Sequence, residues 1–99
     1  MLIWTLRARA DLKAIHDHIA KNSRENAKRV AREIRRKAGT LAEPPHIGRK
    51  VPEINDPQLR EISAYSWRII YLLREGNVFI VTLIHKRRLP DAKDLLPEG

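Results

Sequence analysis

The spacing of apolar residues changes from strand-like to helical near the start of the chain. The segment from Leu2 to Thr5 is apolar and rich in strand-forming residues, which predicts a short first strand. From Ala8 to about Lys21, apolar residues recur every three or four positions, as on one face of a helix. Ser23 is a favourable N-cap for a second helix, which carries a continuous apolar stripe. The stripe consists of Ala27, Val30, Ala31, Ile34, Ala38 and Leu41. So few residues join the two helices that we expect an antiparallel hairpin.

The second half of the chain is patterned as strands. Pro44-Pro45 stops the second helix because proline cannot continue helical hydrogen bonding, and a connector then runs to about Pro57. The predicted strands are 59–64, 67–74 and 78–85. Glu75-Gly76-Asn77 is a tight-turn signal that makes a hairpin of the last two. Segment 91–96 is predicted to form one helical turn.

The order of elements predicts the fold class. A strand is followed by two helices and then by three antiparallel strands, and a single sheet needs a covering layer that the helical hairpin supplies. We therefore predict one α+β domain over residues 1–99, in two layers. The N-terminal strand and the α-helical hairpin pack on a mainly antiparallel β-sheet, in the order β-α-α-β-β-β.

Charge narrows the class of partner. The chain has 20 Lys and Arg against 12 Asp and Glu, and the net charge of +8 favours a polyanion or an acidic protein. Much of the excess lies on the second predicted helix, since residues 21–37 contain eight bases and two acids. The chain has no cysteine, which excludes disulfides and thiolate chemistry and suits a cytoplasmic setting. No apolar run approaches the roughly 20 residues of a membrane helix, so no membrane partner is predicted.

Neither a metal nor another cofactor is predicted. His16 and His18 lie two positions apart on a helix, so their side chains point in different directions. No carboxylate is placed to complete a metal site with them or with His46. The chain also has no glycine-rich phosphate loop.

A series of short segments carries a family resemblance. They are Trp4; Ala10-Asp11-Leu12 with Ile15; Ser23 with Asn26-Ala27; Leu41; Pro44-Pro45; Ile47-Gly48-Arg49; Val51-Pro52-Glu53; Leu59-Arg60-Glu61; Trp67-Arg68-Ile69-Ile70-Tyr71; and His85-Lys86-Arg87-Arg88. In order and spacing, over nearly the whole chain, these segments resemble the ParE branch of the RelE/ParE toxin superfamily. The resemblance implies a type II toxin that arrests its host unless a cognate antitoxin covers it.

The resemblance also implies partners. In the RelE branch arrest comes from cutting messenger RNA in the ribosome, whereas in the ParE branch it is attributed to poisoning DNA gyrase. The implied partners are a ParD-like antitoxin, DNA gyrase, and operator DNA reached only through the antitoxin complex. The antitoxin's C-terminal helix and strand are expected to wrap the helical hairpin and a sheet edge. The expected antitoxin-binding residues are Leu12, Ile15, Ile19, Arg29 and Arg36.

Acid–base chemistry separates the two branches. Cleaving RNA through its 2′-hydroxyl needs a general base, a general acid and cations around the phosphorane. The candidate catalytic residues of a ribonuclease are His85, Arg60, Arg68 and Arg87. In RelE-like ribonucleases a catalytic tyrosine stands six residues after the arginine that matches Arg87. Here that position is Lys93, a poor proton shuttle because lysine titrates near ~10.4, and no histidine or tyrosine follows His85. We therefore favour gyrase inhibition, with mRNA cleavage or a non-toxic nucleic-acid-binding domain as alternatives.

The predicted target-binding residues lie in the strand region. They are Arg60, Arg68, Tyr71, His85, Lys86, Arg87 and Arg88. Structural roles stay open for several of them. His85 could hydrogen-bond a neighbouring loop, Tyr71 could pack in the core, and Arg60 could form an ion pair with Glu61. Strand alternation places Arg68 on the face of Ile70, so it must lie at a sheet edge or in a polar pocket. The basic face of the second helix is either a solvated face or the footprint of an acidic antitoxin segment or of DNA near gyrase.

Overall fold

The structure contains the predicted strand, helical hairpin and three later strands, together with one short strand that the sequence did not reveal. This computed structural model describes residues 1–42, 47–90 and 95. The elements are β1 (Leu2–Trp4), α1 (Leu6–Ala20), α2 (Arg24–Gly39), β2 (Arg49–Lys50), β3 (Leu59–Ala64), β4 (Trp67–Arg74) and β5 (Asn77–His85). A 3₁₀ turn, Thr40–Ala42, follows α2. The predicted helix stop at Pro44-Pro45, the expected turn at 91–96 as a whole, His46 and Lys93 lie outside the described residues.

The strands form one mixed sheet in the order β1-β5-β4-β3-β2. The pairs among β3, β4 and β5 are antiparallel, as predicted; β2 also pairs antiparallel with β3, and β1 joins the edge of the sheet parallel to β5. The β4–β5 turn is built by Glu75 and Gly76, both at positive φ (52° and 78°), while Asn77 already pairs with Arg74. Two successive residues in the left-handed backbone conformation give a two-residue turn whose twist matches that of the strands it joins.

Helix α1 begins two residues earlier than its apolar pattern predicts. The Thr5 hydroxyl accepts a hydrogen bond from the Ala8 amide (3.1 Å) and donates to the Ile80 carbonyl of β5 (2.9 Å). Thr5 is almost fully buried, so one side chain caps the helix and fixes its start against the sheet. Helix α2 begins as predicted, because Ser23 accepts from the Asn26 amide (3.1 Å).

The main core lies between the hairpin and one face of the sheet. The hairpin contributes the small and branched residues of its predicted stripes, and the sheet contributes Ile69, Tyr71, Ile80 and Leu83. A second apolar cluster covers the opposite face of the sheet. Its members are Val51, Leu59, Ile70, Leu72, Val81 and Ile84, with Phe79 and Leu95 packed against them. The middle of the sheet is therefore buried on both faces, which is why β4 reads as an almost continuous apolar run.

No helix in the described part of the chain combines the length and apolar character needed to cross a membrane. We refer below to the sheet face covered by the hairpin as the helical face and to the opposite one as the far face.

Candidate partner-binding surfaces

The far face holds a buried network of arginine and glutamate side chains. Glu61 on β3 is 2% exposed, and its carboxylate accepts from Arg68 on β4 and from Arg49 on β2 (Nη2 to Oε2, 3.0 Å). Arg49 is the cross-strand neighbour of Glu61, and Arg68 reaches it through Nε at 3.1 Å. Two strands from different parts of the chain thus meet at one carboxylate. The ion pair between Arg60 and Glu61, one of the alternatives left open, is not formed, because adjacent residues on a strand point to opposite faces.

Arg68 extends this network to two loops. Its two terminal nitrogens donate to the Glu53 carboxylate at 2.7 and 3.0 Å, and Nη1 also donates to the Arg88 carbonyl at 3.1 Å. The hydrogen bonds that Arg68 donates to Glu53, and then those that it donates to Glu61, raise the pKa of Arg68 above its ordinary value despite burial. The same contact holds the pKa of Glu53 below 4.5. The polar pocket expected around Arg68 therefore exists, and the protein itself fills it.

Two further residues of the predicted target surface are engaged within the protein. Tyr71 has no exposed surface, and its hydroxyl accepts from the Gly48 amide at 2.9 Å. Burial is the main cause that raises its pKa. Arg60 donates to the Pro57 and Gly48 carbonyls, both at 2.9 Å. Arg68 and Tyr71 are therefore buried, in line with the polar pocket expected for Arg68 and the core packing left open for Tyr71.

Gly48 explains why this loop can approach the sheet so closely. A Cβ atom at Gly48 would lie 2.5 Å from the Glu61 carbonyl and 2.5 Å from the Tyr71 hydroxyl. Only glycine fits there without moving the backbone. Gly48 belongs to the family pattern in the sequence, but no local signal there reveals this contact.

The strand-end cations remain exposed. Lys86, Arg87 and Arg88 follow β5 in a turn held by hydrogen bonds from the Lys86 amide to the Ser66 carbonyl (2.8 Å) and from the Arg88 amide to the His85 carbonyl (3.0 Å). His85 is exposed as well; its Nδ1 accepts from the Arg87 amide (3.2 Å), and its ring meets Trp67 edge-on at 5.5 Å. Lys86 also lines a cavity of about 400 Å³ with Ser63 and the charged network. The predicted target-binding set therefore divides into an exposed turn and a buried interior.

A larger groove of about 870 Å³ lies on the other side of the molecule, between β1 and the helical hairpin. We call it the hairpin groove. It is lined by Leu2, Ile3, Trp4, Arg9, Leu12, Lys13, His16, Asp17, Ala31 and Arg35. The apolar part of its lining is formed by Leu2, Trp4, Leu12 and Ala31. The cationic side chains of Arg9, Lys13 and Arg35 are exposed along it. Because β1 is the outermost strand of the sheet, its outer backbone edge faces this side.

The residues expected to contact an antitoxin divide between this groove, the core and the outer helix surface. Leu12 lines the groove and is 7% exposed, and Ile15 lies in the core at 5%. Ile19 is half-buried against the core cluster. Arg29 and Arg36 are exposed on α2 and hydrogen-bond Asn26 and Glu33 of the same helix. Of the five residues expected to contact an antitoxin, Leu12 is therefore the one that lines the hairpin groove.

Asp11 is a positioning residue that sequence analysis quoted without assigning a function. Its Oδ2 accepts from the Thr82 hydroxyl and from the Leu83 amide (3.1 Å), which ties α1 to β5. The available signal was an acid within the apolar face formed by Ala8, Leu12 and Ile15. Among the described residues, no group of three or more potential metal-ligating side chains comes together.

Comparisons with known proteins identify the family. Residues 2–90 match the family model described as ParE toxin of type II toxin-antitoxin system, parDE. The chain belongs to the ParE toxin family. It is 38% identical over 89 residues to the protein named Toxin RelE2 from Caulobacter vibrioides, covering 89% of this chain and 97% of that one. Its fold is similar to that of a solved structure described as the chromosomal ParDE TA system from P. aeruginosa. For that pair the TM-score is 0.72 and the identity 23%, covering 85% of this chain and 92% of the other.

Family membership confirms the resemblance found in the sequence. The names of these relatives come from both branches of the superfamily, since one is called RelE2 and the other belongs to a ParDE system. They do not distinguish gyrase inhibition from RNA cleavage in this ParE-family chain. That question depends on the residues described above.

Proposed function

We propose that this ParE-family toxin acts by binding: it inhibits DNA gyrase and is neutralised by a cognate antitoxin. The observation that carries the proposal concerns Arg60 and Arg68, two of the three arginines that a ribonuclease would use: both are engaged within the protein. Arg68 is buried and donates to two carboxylates and a carbonyl. Arg60 donates to two carbonyls. Neither guanidinium is presented to a scissile phosphate, whose developing charge needs donors already aimed at it.

The acid–base groups support the same reading. The Tyr71 hydroxyl is buried against Gly48, away from any substrate. His85 is the exposed proton-transfer candidate that sequence analysis named, and 2′-hydroxyl chemistry needs an acid as well as a base. A binding toxin needs neither.

The exposed strand-end turn is the proposed contact with gyrase. Lys86, Arg87 and Arg88 lie next to one another at the end of the sheet and are all exposed, and such a concentration of positive charge attracts an acidic partner. The backbone of the turn is held by hydrogen bonds to Ser66 and His85, so less ordering of the backbone would be needed on binding.

The hairpin groove is the proposed antitoxin site. Its apolar residues suit the anchors of an amphipathic segment, and the exposed Arg9, Lys13 and Arg35 suit acidic side chains beside those anchors. The outer edge of β1 offers backbone groups to an added strand. The site is distinct from the strand-end turn, so the antitoxin would neutralise the toxin without directly covering Lys86–Arg88.

A ribosome-dependent mRNA endonuclease is the second candidate. The observation in its favour is the exposed His85 beside Arg87, together with the RelE2 name of the relative from Caulobacter vibrioides. In this reading His85 is the proton-transfer group and Arg87 the cation.

Purified gyrase tests the leading proposal. We expect the protein to inhibit DNA supercoiling, and we expect simultaneous replacement of Lys86, Arg87 and Arg88 by alanine to lower its potency at least about tenfold, a loss of about 1.4 kcal/mol. The matched control replaces Lys13, Arg29 and Arg36, which are also cationic but lie on the helices. Equal losses in the two triple variants would contradict the assigned surface.

Expression in growing cells separates the two candidates. Gyrase inhibition predicts filamentation and DNA-damage signalling while messages stay intact. Rapid loss of messages, abolished by His85→Gln, would instead establish the endonuclease. The antitoxin site is tested separately by Trp4→Ala and Leu12→Ala, which are expected to weaken antitoxin binding while the strand-end triple variant does not.

A further inference from the structure

Helix α2 carries a row of four cations, of which only Arg35 also belongs to one of the two proposed sites. Arg24, Lys28, Arg32 and Arg35 are all exposed, and none of their side chains has a hydrogen bond or ion pair with another described residue. The neighbouring cations of α2 differ, since Arg36 pairs with Glu33. We call these four residues the α2 cation row.

The four side chains lie on one side of the helix. With about 100° per residue, their positions fall within an arc of about 80°, and with a rise of 1.5 Å they span about 17 Å along the axis. Glu25 stands beside one edge of the row but forms no ion pair within the described part of the chain. A row of unpaired like charges carries an electrostatic cost that an anionic partner relieves.

The chemistry of the row favours a phosphate backbone over a protein. Among the described residues, the large apolar side chains that stand exposed are Met1, Leu6, Ile47, Ile54, Tyr65 and Leu89. None belongs to α2. Protein partners bind through buried apolar anchors, whereas nonspecific DNA binding is supplied by cations against phosphates. One strand of B-DNA carries a phosphate about every 3.4 Å along the axis, so about 17 Å offers roughly five phosphates to the four cations.

We propose that the α2 cation row binds the phosphate backbone of duplex DNA directly and without reading its sequence. Arg35 also lines the hairpin groove, so the row adjoins the proposed antitoxin site. With that groove filled, Arg24, Lys28 and Arg32 would still face outward. This toxin–DNA contact is separate from operator recognition through an antitoxin, and it does not depend on the gyrase proposal.

The test is the salt dependence of binding by the purified chain alone. Fluorescence anisotropy with a labelled duplex of mixed sequence measures the affinity over a range of salt concentrations. Each phosphate contact contributes about −0.9 to the slope of log K against log salt, so the K28Q/R32Q variant is expected to reduce the slope by about 1.8. Glutamine is a good helix former, so the helix should persist in the variant. Circular dichroism checks that this variant and the control described next are folded.

The matched control is K13Q/R36Q, which removes the same net charge. Both of these cations are already paired, Lys13 with Asp17 (2.8 Å) and Arg36 with Glu33. We expect this control to change the slope much less than the row variant does. Equal changes would assign the binding to net charge and overturn the proposal. An oligoglutamate of the same charge that bound as tightly as the duplex would also overturn it, in favour of an acidic protein.

Discussion

The two faces of the sheet are held by different physical means. On the helical face, the hairpin packs apolar side chains such as Ile34 and Leu41 against the strands, and both are fully buried. On the far face, an apolar cluster is continued by the network of Glu61, Arg68 and Glu53.

This difference decides how each face responds to substitution. Apolar packing is shared among many neighbours, and removing one of them leaves the others in place. In the network, each charge is compensated by one or two partners, so the loss of a partner leaves a buried charge behind. We therefore expect single substitutions in the far-face network to lower the free energy of unfolding more than those on the helical face.

The largest effect is expected from Glu61→Gln. This substitution removes one of the two carboxylates that compensate the buried Arg68, at a cost of about 3 kcal/mol or more. The free energy of unfolding from urea denaturation measures it. The control is Glu33→Gln on α2, where the Arg36 pair is exposed and no measurable loss is expected. Equal losses would contradict the contrast between the network and the surface.

Gly39 at the end of α2 and Gly48 within the connector provide the second test. Gly48→Ala places a methyl group against the Glu61 carbonyl and the Tyr71 hydroxyl, so we expect a loss of about 1–3 kcal/mol. Gly39→Ala meets nothing within 4 Å at the end of α2 and is expected to stabilise by up to about 1 kcal/mol. Thermal denaturation should shift the two variants in opposite directions. A shared sign would mean that the close approach at Gly48 relaxes easily.

The two helix caps compare a tertiary contact with a local one. Thr5→Ala removes the cap of α1 and its bond to the Ile80 carbonyl, at a cost of about 1–2 kcal/mol. Ser23→Ala removes an exposed cap of α2, at a cost of about 0.5–1 kcal/mol. Urea denaturation of both variants should rank Thr5 first, and the reverse order would show that the Ile80 bond contributes little.

Acid should destabilise the protein in part by protonating Glu53 in the far-face network. Its pKa in the folded protein lies below the ordinary value of 4.5, chiefly because Arg68 donates to it. Glu53 therefore contributes stability above pH 4.5, and that contribution is lost as the pH falls through its lowered pKa. Urea denaturation at about pH 7 and about pH 3 should show a smaller loss in Glu53→Gln than in the unchanged protein. An identical loss in both would exclude Glu53 as a source of acid sensitivity.

Local pattern alone was sufficient for the helical hairpin, the three later strands and the β4–β5 turn. Each depends on residues close in sequence: the apolar stripe of α2, the Ser23 cap, and the pair Glu75-Gly76 at the turn. The family, too, could be identified from the order of short motifs, because that order survives without knowledge of their contacts.

Tertiary structure alone decided which of the functional candidates are buried and which are exposed. Arg68 and Lys86 are both cations in strand-region segments, yet one is buried among carboxylates and the other stands exposed. The partners of Arg68 lie 7, 15 and 20 residues away along the chain. The short strand β2, the parallel edge strand β1 and the buried Tyr71 likewise depend on distant segments. The periodicity of the sequence shows which face of a helix or strand a residue occupies. Whether a charge on that face is compensated depends on which distant segment of the chain packs against it.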